Sequence, residues 1–164
     1  MTGPAQAILD VLRHLHVEFE VIPIDPAFAD TIAFCQKYGY PLDRSANTII
    51  VASRREPIRY AACVVLATTR LDVNKRVRKL MGVSRASFAS PGQMEALTGM
   101  QVGGVTPLAL PEDLPLYVDE RVMQAEWIIV GGGGRDSKIR TSPEILTKLR
   151  AQVVPDLAIA GPVD

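Results

Sequence analysis

Apolar residues recur at Ala5, Ile8, Leu9, Leu12 and Leu15, which is the period of a helix with Pro4 near its first turn. Val17-Glu-Phe-Glu-Val21 alternates and predicts a strand with one wet face. Asp30 is placed to cap a helix running to Tyr38, with Gly39 as its stop. Tyr40-Pro-Leu-Asp43 reads as a turn. The apolar runs Thr48–Ala52 and Ile58–Ala67 flank Arg54-Arg-Glu-Pro57 and predict a hairpin. Asp72 then caps a helix that turns Val73, Val77, Leu80 and Met81 inward and stops at Gly82. Ala86–Ala89 is a short strand. Ser90-Pro91 opens a helix that Gly99 ends.

Beyond a Pro-rich loop, Leu116–Val118 and Glu126–Val130 read as strands, with a turn or short helix at Asp119–Met123 between them. Four glycines, 131–134, precede a short strand at Ser137–Thr141. Ser142-Pro143-Glu144 opens the last helix, which ends near Arg150. Val153-Val154 suits an edge strand, and Ala158–Asp164 reads as a loose tail. Helices and strands do not alternate strictly. The expected fold is therefore mixed α/β (α+β), a largely antiparallel sheet surrounded by helices, and not a doubly wound nucleotide-binding sheet. Nor are the four glycines a dinucleotide fingerprint, because the next helix starts only at Ser142, beyond a strand. A hairpin turn and a close backbone approach both fit them.

At 164 residues the chain is expected to form one domain spanning 1–164, with its core over about 5–155. Its 48% hydrophobic and 22% charged content is that of a water-soluble globule. No apolar run approaches the ~18 residues of a membrane span. The opening Met-Thr-Gly-Pro lacks a signal-peptide pattern, and Cys35 and Cys63 read as two reduced thiols in or near the core. The expected compartment is the cytoplasm, without membrane association. No metal or cofactor is expected: His14 and His16, two residues apart, do not converge on one ion. The net charge is zero, yet residues 54–85 hold nine basic side chains against Glu56 and Asp72. Such a segment suits phosphate contact as well as a solvated face.

The stretch Thr98-Gly-Met-Gln-Val-Gly-Gly-Val-Thr-Pro107 carries the most chemistry. Gly99, Gly103 and Gly104 can adopt positive φ and admit close approach, and Pro107 extends Thr106. A loop of this kind can aim backbone N–H groups at one carbonyl oxygen or oxyanion. A plain glycine-rich turn is the competing reading. No Gly-x-Ser-x-Gly is present and neither cysteine has a local base, so no side-chain nucleophile stands out. Asp72 reads as a helix cap and Asp119 as a residue bonding the backbone of a turn.

Taken in order, Thr98-Gly99, Gly103-Gly104-Val-Thr-Pro107, Leu116-Tyr-Val-Asp119, Val130-Gly-Gly-Gly-Gly134 and Ser142-Pro-Glu-Ile-Leu146 resemble the YbaK/prolyl-tRNA synthetase editing-domain family, from about Ala5 to about Pro155. The resemblance implies a sheet curled into a partial barrel. It implies hydrolysis of the ester of mischarged tRNA, with alanine or cysteine on proline tRNA as favoured substrates. Aminoacyl-tRNA is the implied partner, and a synthetase is a further candidate. On this resemblance the backbone of Gly103, Gly104, Val105 and Thr106 holds the ester, and Thr98, Gly99, Pro107, Asp119, Gly132 and Gly133 surround the substrate. Arg54, Arg55, Lys75, Arg76 and Lys79 are then candidates for tRNA contact. The family carries a substrate-contacting lysine before its Thr-hydrophobic strand. Here the run is Asn47-Thr-Ile-Ile-Val51, so Asn47 takes that position with an amide and no charge. The charge is then expected from Lys75 or from an arginine in 54–59. The alternatives are a binding module of the same fold that has lost catalysis, or a different small-ligand hydrolase on that fold.

Overall fold

A computed structural model describes residues 6–160. The chain runs α1 (Gln6–His14), β1 (Phe19–Pro23), α2 (Thr31–Tyr38), β2 (Ala46–Ser53), β3 (Tyr60–Leu66), β4 (Thr69–Leu71), α3 (Arg78–Met81), β5 (Ala86–Phe88), α4 (Pro91–Thr98), β6 (Leu116–Asp119), α5 (Glu120–Met123), β7 (Ile128–Gly131), β8 (Ser137–Thr141), α6 (Glu144–Lys148), β9 (Gln152–Val154) and β10 (Ala158–Ala160). A π-helical turn, Val73–Val77, leads into α3. The expected helix start at Pro4 and Ala5, and the end of the expected loose tail at 161–164, lie outside the described residues.

The main sheet has the order β5-β2-β3-β6-β9 and a second the order β1-β8-β7. Both are open, and no barrel closes among the described residues. The expected hairpin is there: β2 and β3 pair antiparallel from Ala46 opposite Leu66 to Ala52 opposite Tyr60. Most pairings are antiparallel, as expected, but β3–β6 and β6–β9 are parallel. Strand β3 shows why it sits at the centre. Its Ala61-Ala-Cys-Val-Val65 run is apolar on both faces, and each of these residues is at most 1% exposed. Its side chains join two cores: Val64 packs with Val118, Ile128, Ile139 and Ile145, and Cys63 and Val65 pack with Val77, Tyr117 and Leu157.

Two sequence expectations change. The first strand runs over Phe19–Pro23 instead of 17–21, because Val17 is buried in the core under α1 and ends the preceding loop. Ala158–Ala160 is not loose. It pairs with β4, with Ala158 opposite Leu71, and Leu157 and Ala158 are almost fully buried.

The caps follow their residue types. Ser90 and Gln93 form a reciprocal capping box at the start of α4, and Gly99 ends it in the left-handed region at φ +70°. Asp30 precedes α2 but makes no side-chain cap bond; its Oδ1 accepts instead from Arg135 at 3.4 Å.

Candidate active site

Strand β2, the start of α2, the β5–α4 corner, the glycine loop and the β7–β8 hairpin enclose a cavity of about 440 Å³. Its apolar wall includes Phe34, Ile49, Ile50 and Met94, and its polar lining includes Asp30, Thr31, Ser45, Asn47, Thr48 and Lys138. Phe88 and Val102 stand at the wall with much of their side chains in solvent.

Two glycine-rich loops make one side of this cavity by locking together. Gly133 N–H donates to Gly104 O at 2.6 Å, Gln101 N–H to Gly133 O at 3.2 Å, and Gly104 N–H to Gln101 O at 2.9 Å. A Cβ on Gly104 would stand 2.7 Å from the carbonyl carbon of Gly134, and one on Gly131 would stand 2.8 Å from that of Gly104. Side chains cannot fit between backbones this close, so glycine is required on both loops. Gly103 adds a φ of +88°.

Arg135 ties this wall to α2. Its guanidinium donates to Val102 O at 2.7 Å, Pro26 O at 3.0 Å and Asp30 Oδ1 at 3.4 Å. Asn47 Oδ1 accepts from Thr31 Oγ1 at 2.7 Å, which leaves the Asn47 NH2 as its donor side. Thr48 Oγ1 is buried and has no partner among the described residues.

Lys138 is the cationic residue of the cavity lining, which also includes Asp30. It lies on β8, opposite Ile22 of β1 and Gly131 of β7, and is only 6% exposed. Its Nζ donates to Gly103 O at 2.8 Å and lies 5.7 Å from the centre of the Phe34 ring. Burial lowers its pKa from 10.5 to about 8; Asp30 opposes the fall, Arg135 adds to it, and Cys35 opposes it weakly.

Of the residues proposed from sequence, Asn47, Gly103 and Val105 line the cavity together. Gly104 and Thr106 do not. Gly104 N–H is committed to Gln101, so it is not an oxyanion donor, and the fully buried Thr106 uses its Oγ1 to accept from Leu108 N–H. Thr98 Oγ1 bonds Met94 O and Met100 N–H, and Gly99 and Pro107 shape the ends of the loop. Gly133 belongs to the interlock behind the wall and Gly132 sits close against Ser137 of its own hairpin, while Gly131 is the glycine of the run that reaches the cavity. Asp119 is not at the cavity. It caps α5 at Arg121 N–H, pairs with the Arg121 guanidinium at 3.0 Å and accepts from Ala158 N–H. Arg54, Arg55, Lys75, Arg76 and Lys79 are off the cavity too, so neither Lys75 nor an arginine in 54–59 supplies its charge. Arg76 spends its guanidinium on Pro155 O at 3.0 Å. Sequence reasoning missed Lys138. The available signal was a lysine directly after Ser137, in a short strand hard against the four glycines. Burial pushes the Cys63 thiol up to about 12, which keeps it protonated and unfit as a nucleophile.

The fold is that of an aminoacyl-tRNA editing domain. The model of that family, described as "Aminoacyl-tRNA editing domain", matches residues 25–149, and the chain belongs to the family. Among its relatives is the Enterococcus faecalis protein named "Putative Cys-tRNA(Pro)/Cys-tRNA(Cys) deacylase EbsC", 27% identical over 126 residues, which are 76% of this chain and 73% of that protein. Two solved structures share the fold. One, titled as the hypothetical protein APE2540, has a TM-score of 0.82 at 22% identity and covers 93% of this chain and 99% of its own. The other, named "a putative trans-editing enzyme for prolyl tRNA synthetase", has a TM-score of 0.77 at 21% identity and covers 96% and 99%.

Proposed function

We propose that this protein is a stand-alone editing hydrolase that cleaves the ester of mischarged tRNA, with alanine or cysteine on proline tRNA as its substrates. The observation that carries this reading is the cavity, which sets Gly103 and Val105 of the loop, the Asn47 amide and an apolar wall around one space. Its volume lies within the ~300–1,000 Å³ of small-ligand sites, enough for a small aminoacyl group on a terminal ribose. Water attacks the ester carbonyl, the loop backbone orients it, and no protein nucleophile takes part. Side-chain size sets selectivity only coarsely, since one methylene is worth ~1–3 kcal/mol. The names of the deacylase relative and the trans-editing structure support proline tRNA as the carrier.

The loss of the expected lysine at Asn47 favours a second reading, a module that binds aminoacyl-tRNA without hydrolysing it. A deacylation screen over mischarged tRNAs, with binding measured on the same set, separates the two. Turnover of alanyl- or cysteinyl-tRNA(Pro) is the expected result. Binding without turnover on every substrate selects the module.

The basic segment supplies a further expectation. Lys75 and Lys79 are exposed and off the cavity, so replacing both with alanine leaves the site intact. If they meet phosphates, tRNA binding weakens and the slope of log K against log salt becomes shallower by roughly 1.5, at ~0.7–0.9 per contact. An unchanged slope removes these residues from the interface.

A further inference from the structure

We propose that Lys138 is a catalytic cation of this site: its ammonium donates to the carbonyl oxygen of the aminoacyl ester as that oxygen becomes negative. The inference rests on the hydrolase reading and names the group that stabilises its charged intermediate.

Three observations lead there. Lys138 is the one lysine or arginine lining the cavity among the described residues. It is buried, yet no carboxylate stands within ion-pairing distance of its Nζ among those residues. Of its three N–H donors, one goes to the neutral Gly103 carbonyl at 2.8 Å. A buried ammonium on which Asp30 acts only from beyond ion-pairing distance, while paired to Arg135, is unfavourable for the fold alone. It is what a site needs when negative charge is to form beside it, because a fixed donor needs no reorganisation during the reaction. The Gly103 bond also holds Nζ against the loop that orients the ester.

The step balances without a co-reactant. A water oxygen bonds to the ester carbonyl carbon, and the C=O π pair moves onto oxygen, where Lys138 donates to it. The oxyanion then re-forms the double bond and expels the terminal ribose oxygen, which takes up the proton that the water loses. The products are the free amino acid and tRNA with its terminal hydroxyl restored.

Only the charged amine can act in this way, so its contribution disappears as pH rises through about 8. The groups that set that titration are the Asp30 carboxylate, the Arg135 guanidinium and the Cys35 thiol.

The test uses two non-hydrolysable mimics of alanyl-adenosine on a short acceptor-stem RNA. One is a phosphonate carrying the tetrahedral negative charge, the other a neutral 3′-amide. Lys138→Met is expected to weaken the phosphonate at least ten-fold and the amide less than two-fold. In the wild type the preference for phosphonate over amide shrinks between pH 7 and pH 9, and that arm needs no variant to fold. Equal loss of both mimics makes Lys138 a support for the Gly103 loop and overturns the proposal, as does a preference that is unchanged in Lys138→Met or with pH. Failure of the hydrolase reading looks different: wild-type protein then releases no amino acid from any mischarged tRNA, whatever the mimics show.

Discussion

Lys138→Met raises the stability of the folded protein at pH 7 by about 2 kcal/mol. The fall of the lysine pKa from 10.5 to about 8 places the cost of burying its charge on the order of 3 kcal/mol. Losing its hydrogen bond to Gly103 O gives back about 1 kcal/mol. Met keeps the length and apolar character of the stem, so little packing is lost. The sign follows from proton binding. The folded pKa lies below the unfolded one, so between about pH 8 and 10.5 the unfolded chain binds more protons, and wild-type stability gains as pH rises through that window. The penalty is complete below about pH 8. Urea unfolding of both proteins at pH 7 and pH 9.5 therefore shows a gap that narrows at the higher pH. A variant less stable than wild type by the same amount at both pH values means that the ammonium is well compensated in the fold. A residue that costs stability and sits in the cavity is the trade expected of a functional group.

Gly104→Ala destabilises the protein by about 3 kcal/mol or more, whereas Gly103→Ala folds with a loss of only about 1–2 kcal/mol. From sequence, both glycines serve close approach by a ligand. The structure separates them. The new Cβ at 104 meets the backbone of Gly133 and Gly134 at 2.9 and 2.7 Å, and neither loop can yield without breaking the Gly133–Gly104 bond. At 103 it meets the end of the Arg135 side chain at 2.6 Å, which can swing, and the backbone carries a residual strain from φ +88°. Gly103 also faces the cavity, so its alanine variant loses activity while staying folded. Denaturant midpoints for the two variants check this. Equal midpoints mean that the loop interlock adds nothing to stability.

Much of this was legible in the residues. The β2–β3 hairpin followed from two apolar runs around Arg54–Pro57, and the capping box of α4 from Ser90-Pro91. The glycine loop announced a close approach, but not to what. Gly104 approaches another glycine loop, thirty residues on, and only the fold brings those backbones together. Lys138 was hidden for a related reason. Alternation along Ser137–Thr141 does not say which face is dry, and here both are, because β8 lies between β1 and β7 with the cavity and core on its two sides. Asp119 was legible as a structural residue and its place in a recurring motif pointed elsewhere; Arg121 and Ala158 account for its carboxylate. The strand at Ala158–Ala160 is too short for a period to show, and its pairing with β4 and the bonds of Ala158 to Asp119 and Arg121 order it.

One cavity, lined by Asn47 and already holding Lys138, is the proposed site of aminoacyl-ester hydrolysis. Single-turnover hydrolysis of alanyl- and cysteinyl-tRNA(Pro) by wild type, Asn47→Ala and Asn47→Lys tests it most directly. Wild type is expected to cleave at least one of the two well above the spontaneous rate. Asn47→Lys is expected to be the slowest of the three, because a second ammonium beside Lys138 drives one of the pair to lose its proton. No cleavage above the spontaneous rate, three equal rates, or a faster Asn47→Lys would contradict the account.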